Sequence, residues 1–116
     1  MQTIANGTNN AGQIVGAYES PAGMSLGFLL NGGTFTTIDV PGTVGVTQAF
    51  DINSRGQIVG NYLDVSGAVR GYLLDRGTFT TIDLPGASDS LPFGINAKGQ
   101  IVGDYGPGFN GFLAQR

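Results

Sequence analysis

Three tyrosines, Tyr18, Tyr62 and Tyr105, stand at one recurring place in the sequence, and beside the middle one are Gln57, Asn61 and Asp64. Aromatic faces stack on sugar rings, while amides and carboxylates hydrogen-bond to sugar hydroxyls, so these six residues form the candidate ligand-binding set. The chemistry would be lectin-like, with weak sites repeated for avidity. The competing reading is that these tyrosines, with Phe28, Tyr72 and Phe112, fill a core. A second candidate is Asp51-Ile52-Asn53-Ser54-Arg55-Gly56, whose oxygen donors alternate as in a Ca²⁺ loop. Arg55 takes a ligand position there, and the matching segments begin with Gly7 and Gly94, so no metal site is expected. Asp39 and Asp83 recur in Thr-Ile-Asp-x-Pro-Gly, and paired carboxylates can hydrolyse glycosides. They lie one repeat apart, however, and a turn-capping role fits them better.

The chain contains no His and no Cys, which removes the common zinc constellations, a Cys nucleophile and a His general base. Lys98 is the only Lys, leaving Ser and Thr without a readable activating partner. The expectation is a non-enzyme without cofactors. Five basic and eight acidic residues give a net charge of −3, and the scattered positive charges make no phosphate-binding patch, so no nucleic-acid partner is expected. No apolar run approaches the roughly 20 residues of a membrane span, and Met1–Gly7 lacks the features of a signal peptide. No membrane partner is expected either. Of the 116 residues, 21 are Gly and only 11% are charged, against about 25% charged in ordinary domains. Tight turns are favoured over charge.

The elements that must position these residues are repeated. Gly-Gln-Ile-Val-Gly occurs at 12–16, 56–60 and 99–103, and the block at 27–42 returns at 71–86 with 12 of its 16 residues unchanged. The chain thus reads as a single repeat domain over 1–116, with repeat 1 at about 1–44, repeat 2 at about 45–87 and repeat 3 at about 88–116 without its fourth strand. Runs of β-branched and aromatic residues between turn residues predict four short strands per repeat. In the middle repeat they fall at 47–52, 57–63, 69–74 and 78–84, and the Pro- and Gly-bearing segment 85–92 leads to the next repeat. Asn9, Asn53 and Asn96, each followed three residues later by Gly12, Gly56 or Gly99, are structural turn residues: Asn bonds its own backbone two residues on, and Gly takes positive φ.

Alternation along 57–63 puts Ile58, Gly60 and Tyr62 on one face and Gln57, Val59 and Asn61 on the other, so both faces are apolar and both need neighbours. The fold class expected is all-β, with β-propeller blades of four antiparallel strands and about 2.5–3 repeats per chain. Propellers close with typically 4–8 blades, so the ring is completed by oligomerisation, with a homodimer favoured. Gln2-Thr3-Ile4-Ala5 echoes Thr80-Thr81-Ile82-Asp83, which would let it supply a fourth strand to another copy by strand exchange. A monomeric β-trefoil or β-prism is the alternative.

Ile-Asn-x-x-Gly-Gln-Ile-Val-Gly-x-Tyr, followed by Gly-Phe-Leu-Leu-x-x-Gly-Thr-Phe-Thr-Thr-Ile-Asp-x-Pro-Gly, resembles the HAF-type repeats of bacterial extracellular proteins over nearly the whole chain. The His-Ala-Phe tripeptide that names the family is replaced by Leu26-Gly27-Phe28, Arg70-Gly71-Tyr72 and Asn110-Gly111-Phe112. The resemblance implies a propeller-like repeat protein without a defined catalytic activity, extracellular or periplasmic, usually with more copies per chain than three. The chain is therefore expected to be a self-assembling fragment or short form of such a protein, with a structural or interaction role. The alternative is a lectin-like propeller that binds carbohydrate or another small ligand.

Overall fold

The computed structural model describes residues 3–82, 89–106 and 110–115. Gln2, residues 83–84 at the end of the expected strand 78–84, and residues 85–88 of the connecting segment lie outside them. All described secondary structure is strand, turn or bend, in three antiparallel sheets. Sheet one is β1 (Thr3–Thr8), β2 (Ile14–Glu19), β3 (Ser25–Asn31) and β4 (Thr34–Ile38), paired in sequence order. Sheet two repeats this with β5 (Thr47–Ile52), β6 (Ile58–Leu63), β7 (Val69–Asp75) and β8 (Thr78–Ile82). Sheet three contains β9 (Ser90–Ile95), β10 (Gln100–Tyr105) and β11 (Asn110–Gln115). Thr3, Ile4 and Ala5 pair with Tyr18, Ala17 and Gly16 as the first strand of their own sheet. This corrects the use foreseen for them as the fourth strand of another copy's sheet.

The sheets stack on their neighbours in sequence. β5 packs across β1, β2 and β3, and β9 packs in the same way across β5, β6 and β7. Two cores result. One contains Val15, Ile38, Ala49, Ile52, Ile58 and Tyr72, and the other Val59, Leu73, Ile82, Ile95 and Ile101. Ile58 and Val59 are adjacent on β6 and serve different cores, because successive side chains of a strand point to opposite faces. Sheet two is therefore buried on both sides.

A glycine on the second strand faces an aromatic ring on the third: Gly16 pairs with Phe28, Gly60 with Tyr72 and Gly103 with Phe112. A Cβ at Gly60 would lie 2.6 Å from the Tyr72 hydroxyl oxygen, and one at Gly16 2.8 Å from a Phe28 ring carbon. At Gly16 and Gly60 the ring lies across the strand, and at all three positions a Cβ would also meet the first-strand carbonyl of Ile4, Gln48 or Leu91 more closely still, so only glycine fits. The segment joining sheets one and two is pinned at both sides, since the Thr43 hydroxyl donates to the carbonyl of Val46 or Leu63, and Ser25 N–H donates to Gly45.

Candidate functional site

The first strands β1, β5 and β9 lie side by side, and each contains a bulge. Ala5 and Gly7 pair with consecutive residues of β2, Ala49 and Asp51 with consecutive residues of β6, and Pro92 and Gly94 with consecutive residues of β10, leaving Asn6, Phe50 and Phe93 as the extra residues. A bulge bends its strand and re-aims the extra side chain. Here that side chain turns toward the next sheet: Asn6 Nδ2 donates to the Ala49 carbonyl at 3.0 Å, and Phe50 meets Phe93 edge-on with ring centroids 6.0 Å apart.

The Asn turns beyond these strands also connect the sheets. Asn9 Oδ1 accepts from Ala11 and Gln13 N–H, Asn53 Oδ1 from Arg55 and Gln57, and Asn96 Oδ1 from Lys98 and Gln100. Gly12, Gly56 and Gly99 close the turns at φ of 77°, 79° and 80°, a region glycine enters without a Cβ clash. Each Asn amide also donates to the Gln that follows its turn, Gln13, Gln57 or Gln100. In addition, Asn9 Nδ2 reaches the Asn53 carbonyl and Asn53 Nδ2 the Asn96 carbonyl, both at 2.9 Å. One side chain thus shapes its own hairpin and clips it to the next.

The proposed ligand set is distributed along the structure. Tyr18, Tyr62 and Tyr105 are half-buried, with Tyr18 hydrogen-bonded to Thr37 and Tyr62 to Thr81 on the outer strands. Asn61 is buried on the face of β6 opposite Tyr62. Gln57, at the far end of that strand, accepts from Asn53 and donates to Asp75. Asp64 organises the loop after β6, accepting from Ser66, Ala68 and Arg70. The Ser66 hydroxyl, then Arg70, hold its carboxyl well below the usual carboxylate range. Sequence reasoning grouped these residues by proximity in the chain, whereas the strand separates them by face and by end.

Asp51 Oδ2 accepts from Ile95 N–H at 2.9 Å, so the carboxylate read as a possible Ca²⁺ ligand is a link between sheets two and three. Among the described residues, no three His, Cys, Asp or Glu side chains are grouped to hold a metal ion. Asp39 borders a cleft of about 280 Å³ between sheets one and two, lined mainly by Leu29, Thr37, Ile38, Ile58 and Phe79. A scan of the chain against protein-family models, a search of curated proteins and a search of solved structures found no match.

Proposed function

We propose that this chain is a non-catalytic repeat module of propeller type, its three sheets successive blades, which assembles with itself into a closed ring and serves a structural or interaction role outside the cytoplasm. The observation that carries the reading is the burial of Ile58 and Val59 on opposite faces of one sheet. A trefoil wraps paired hairpins into one barrel and a prism turns one face of every sheet to solvent; neither buries both faces of a middle sheet against its two sequence neighbours. Stacking by sequence order is the arrangement of blades. Such a stack continues until it closes, because each exposed end repeats the apolar surface that the middle sheet buries. The absence of His and Cys supports the non-catalytic part, and the likeness to HAF-type repeats supports export.

The test is solution mass by light scattering coupled to size exclusion across a range of concentrations. The expected result is twice the 11.9 kDa monomer, held down to low micromolar concentration. A monomer at every concentration would overturn self-assembly.

A further inference from the structure

The three sheets can be compared position by position, and the comparison exposes two matching vacant surfaces. Val15 and Val59 are fully buried beneath the following sheet, whereas Val102, in the same place on β10, is 49% exposed. Leu73 is 6% exposed and Leu113, its counterpart on β11, 65%. At the other end, Thr47 and Ala49 of β5, and Ser90 and Pro92 of β9, are buried against the preceding sheet, while Thr3 and Ala5 of β1 are exposed. Sheet three thus offers the surface that sheets one and two cover with a first strand, and β1 is a first strand without a sheet beneath it.

Gly111 gives an independent indication. Its counterparts are confined by two neighbours. A Cβ at Gly71 would lie 2.8 Å from Pro92 Cδ of the next sheet and 3.4 Å from Ile82 Cβ of its own fourth strand. One at Gly27 would lie 3.2 Å from Ile38 Cβ of its own fourth strand and 3.5 Å from Ala49 N of the next sheet. A Cβ at Gly111 would meet only the Gly103 carbonyl oxygen, at 3.9 Å. Among the described residues Gly111 therefore has neither neighbour, and a first strand arriving as β5 and β9 do would supply the next-sheet one. The amide relay points the same way. Asn9 donates to Asn53 and Asn53 to Asn96, and among the described residues the Asn96 amide bonds only Gln100. An Asn amide carries two hydrogens, so one remains for an incoming carbonyl.

Resting on the propeller reading above, we propose that the ring closes head to tail between two copies. The open face of sheet three in one copy receives β1 of the other in the register that β5 and β9 already use. Ala5 of the second copy then lies over Gly111, and its Asn9 carbonyl accepts from Asn96. Two such contacts give six blades, inside the range in which propellers close, whereas three copies would give nine.

The test uses single cysteines, which the natural chain lacks. Copies bearing Ala5→Cys and copies bearing Gly111→Cys are mixed, oxidised and separated on a denaturing gel. The expected result is a covalent dimer from the mixture and none from either variant alone, because head-to-tail packing brings together unlike positions. Self-linking of Gly111→Cys would show a face-to-face dimer and overturn the proposal. A doubled mass without any cross-link in the mixture would do the same while leaving self-assembly intact, and a monomeric wild-type chain would overturn the broader reading instead. If Gly111→Cys itself loses the doubled mass, Asn6→Cys mixed with Phe93→Cys and bridged by a short bismaleimide repeats the test at the bulges. There, linkage only in the mixture supports the proposal and no linkage overturns it.

Discussion

A hydroxyl in the core between sheets one and two makes part of the protein's stability sensitive to alkali. Tyr72 is fully buried, its hydroxyl donates to the Gln48 carbonyl at 2.9 Å, and burial pushes its ionisation above the ordinary tyrosine range. The unfolded chain loses this proton near pH 10 while the folded chain keeps it. The contribution to stability is therefore fully present below about pH 10 and is lost as pH rises beyond it. Tyr72→Phe should cost about 1 kcal/mol at neutral pH, through the lost hydrogen bond. Above pH 10 its stability should fall less steeply than that of the wild type, by up to about 1.4 kcal/mol per pH unit. Urea unfolding at pH 8, 10 and 11 measures both, and parallel pH profiles would refute the assignment. At this scale the sequence is partly transparent. The Tyr18, Tyr62 and Tyr105 series is visible as a repeat, but its orientation depends on which face of each strand meets a neighbour. The Asn turns are readable because Asn and Gly have local reasons to be there, while the second use of each Asn amide, 43 or 44 residues away, has no local signature.

At the scale of the element, the hairpin joining β7 to β8 differs from its counterpart in one informative residue. Asn31-Gly32-Gly33-Thr34 and Asp75-Arg76-Gly77-Thr78 are two-residue loops with positive φ at both central positions, 58° and 89° in the first, 52° and 82° in the second. Such turns match the right-handed twist of a hairpin and favour Asn-Gly or Gly-Gly. Arg76 holds a left-handed conformation that costs an ordinary residue about 1–2 kcal/mol. Arg76→Asn should therefore stabilise the chain by about 0.5–1 kcal/mol, raising Tm by about 2–6 °C in a calorimetric scan. An unchanged or lower Tm would mean that Arg76 makes a compensating contact. The four-strand pattern was legible because Gly, Asn and Pro punctuate β-branched runs at short intervals: β5 spans Thr47–Ile52 as read from the residues, β6 and β7 each differ by one residue at one end, and β8 starts at Thr78 as read. The bulges were not. One inserted residue leaves no compositional trace, and Asn6, Phe50 and Phe93 share no side-chain chemistry that would mark it.

At the scale of the whole molecule, a stack of sheets has interchangeable interiors and distinctive ends. Its periodicity was legible because two separate sequence blocks return in order, whereas the fate of the ends depends on surfaces that only the packing reveals. Val59 and Val102 make the difference measurable, since both are the Val of Gly-Gln-Ile-Val-Gly and differ only in what covers them. An aspartate at position 59 would place an unpaired carboxylate between two sheets, at a cost of several kcal/mol, and Val59→Asp should fail to fold. Val102→Asp faces water in the protomer, so it should keep the wild-type circular dichroism and lose less than about 1 kcal/mol of protomer stability. Buried at the junction between two copies, however, the same carboxylate would be desolvated without a partner. Val102→Asp should therefore elute at the monomer mass where wild type elutes at twice that mass. Persistence of the doubled mass in Val102→Asp would exclude this face as the junction, and unfolding of Val102→Asp as complete as that of Val59→Asp would mean that the face lies inside the protomer core.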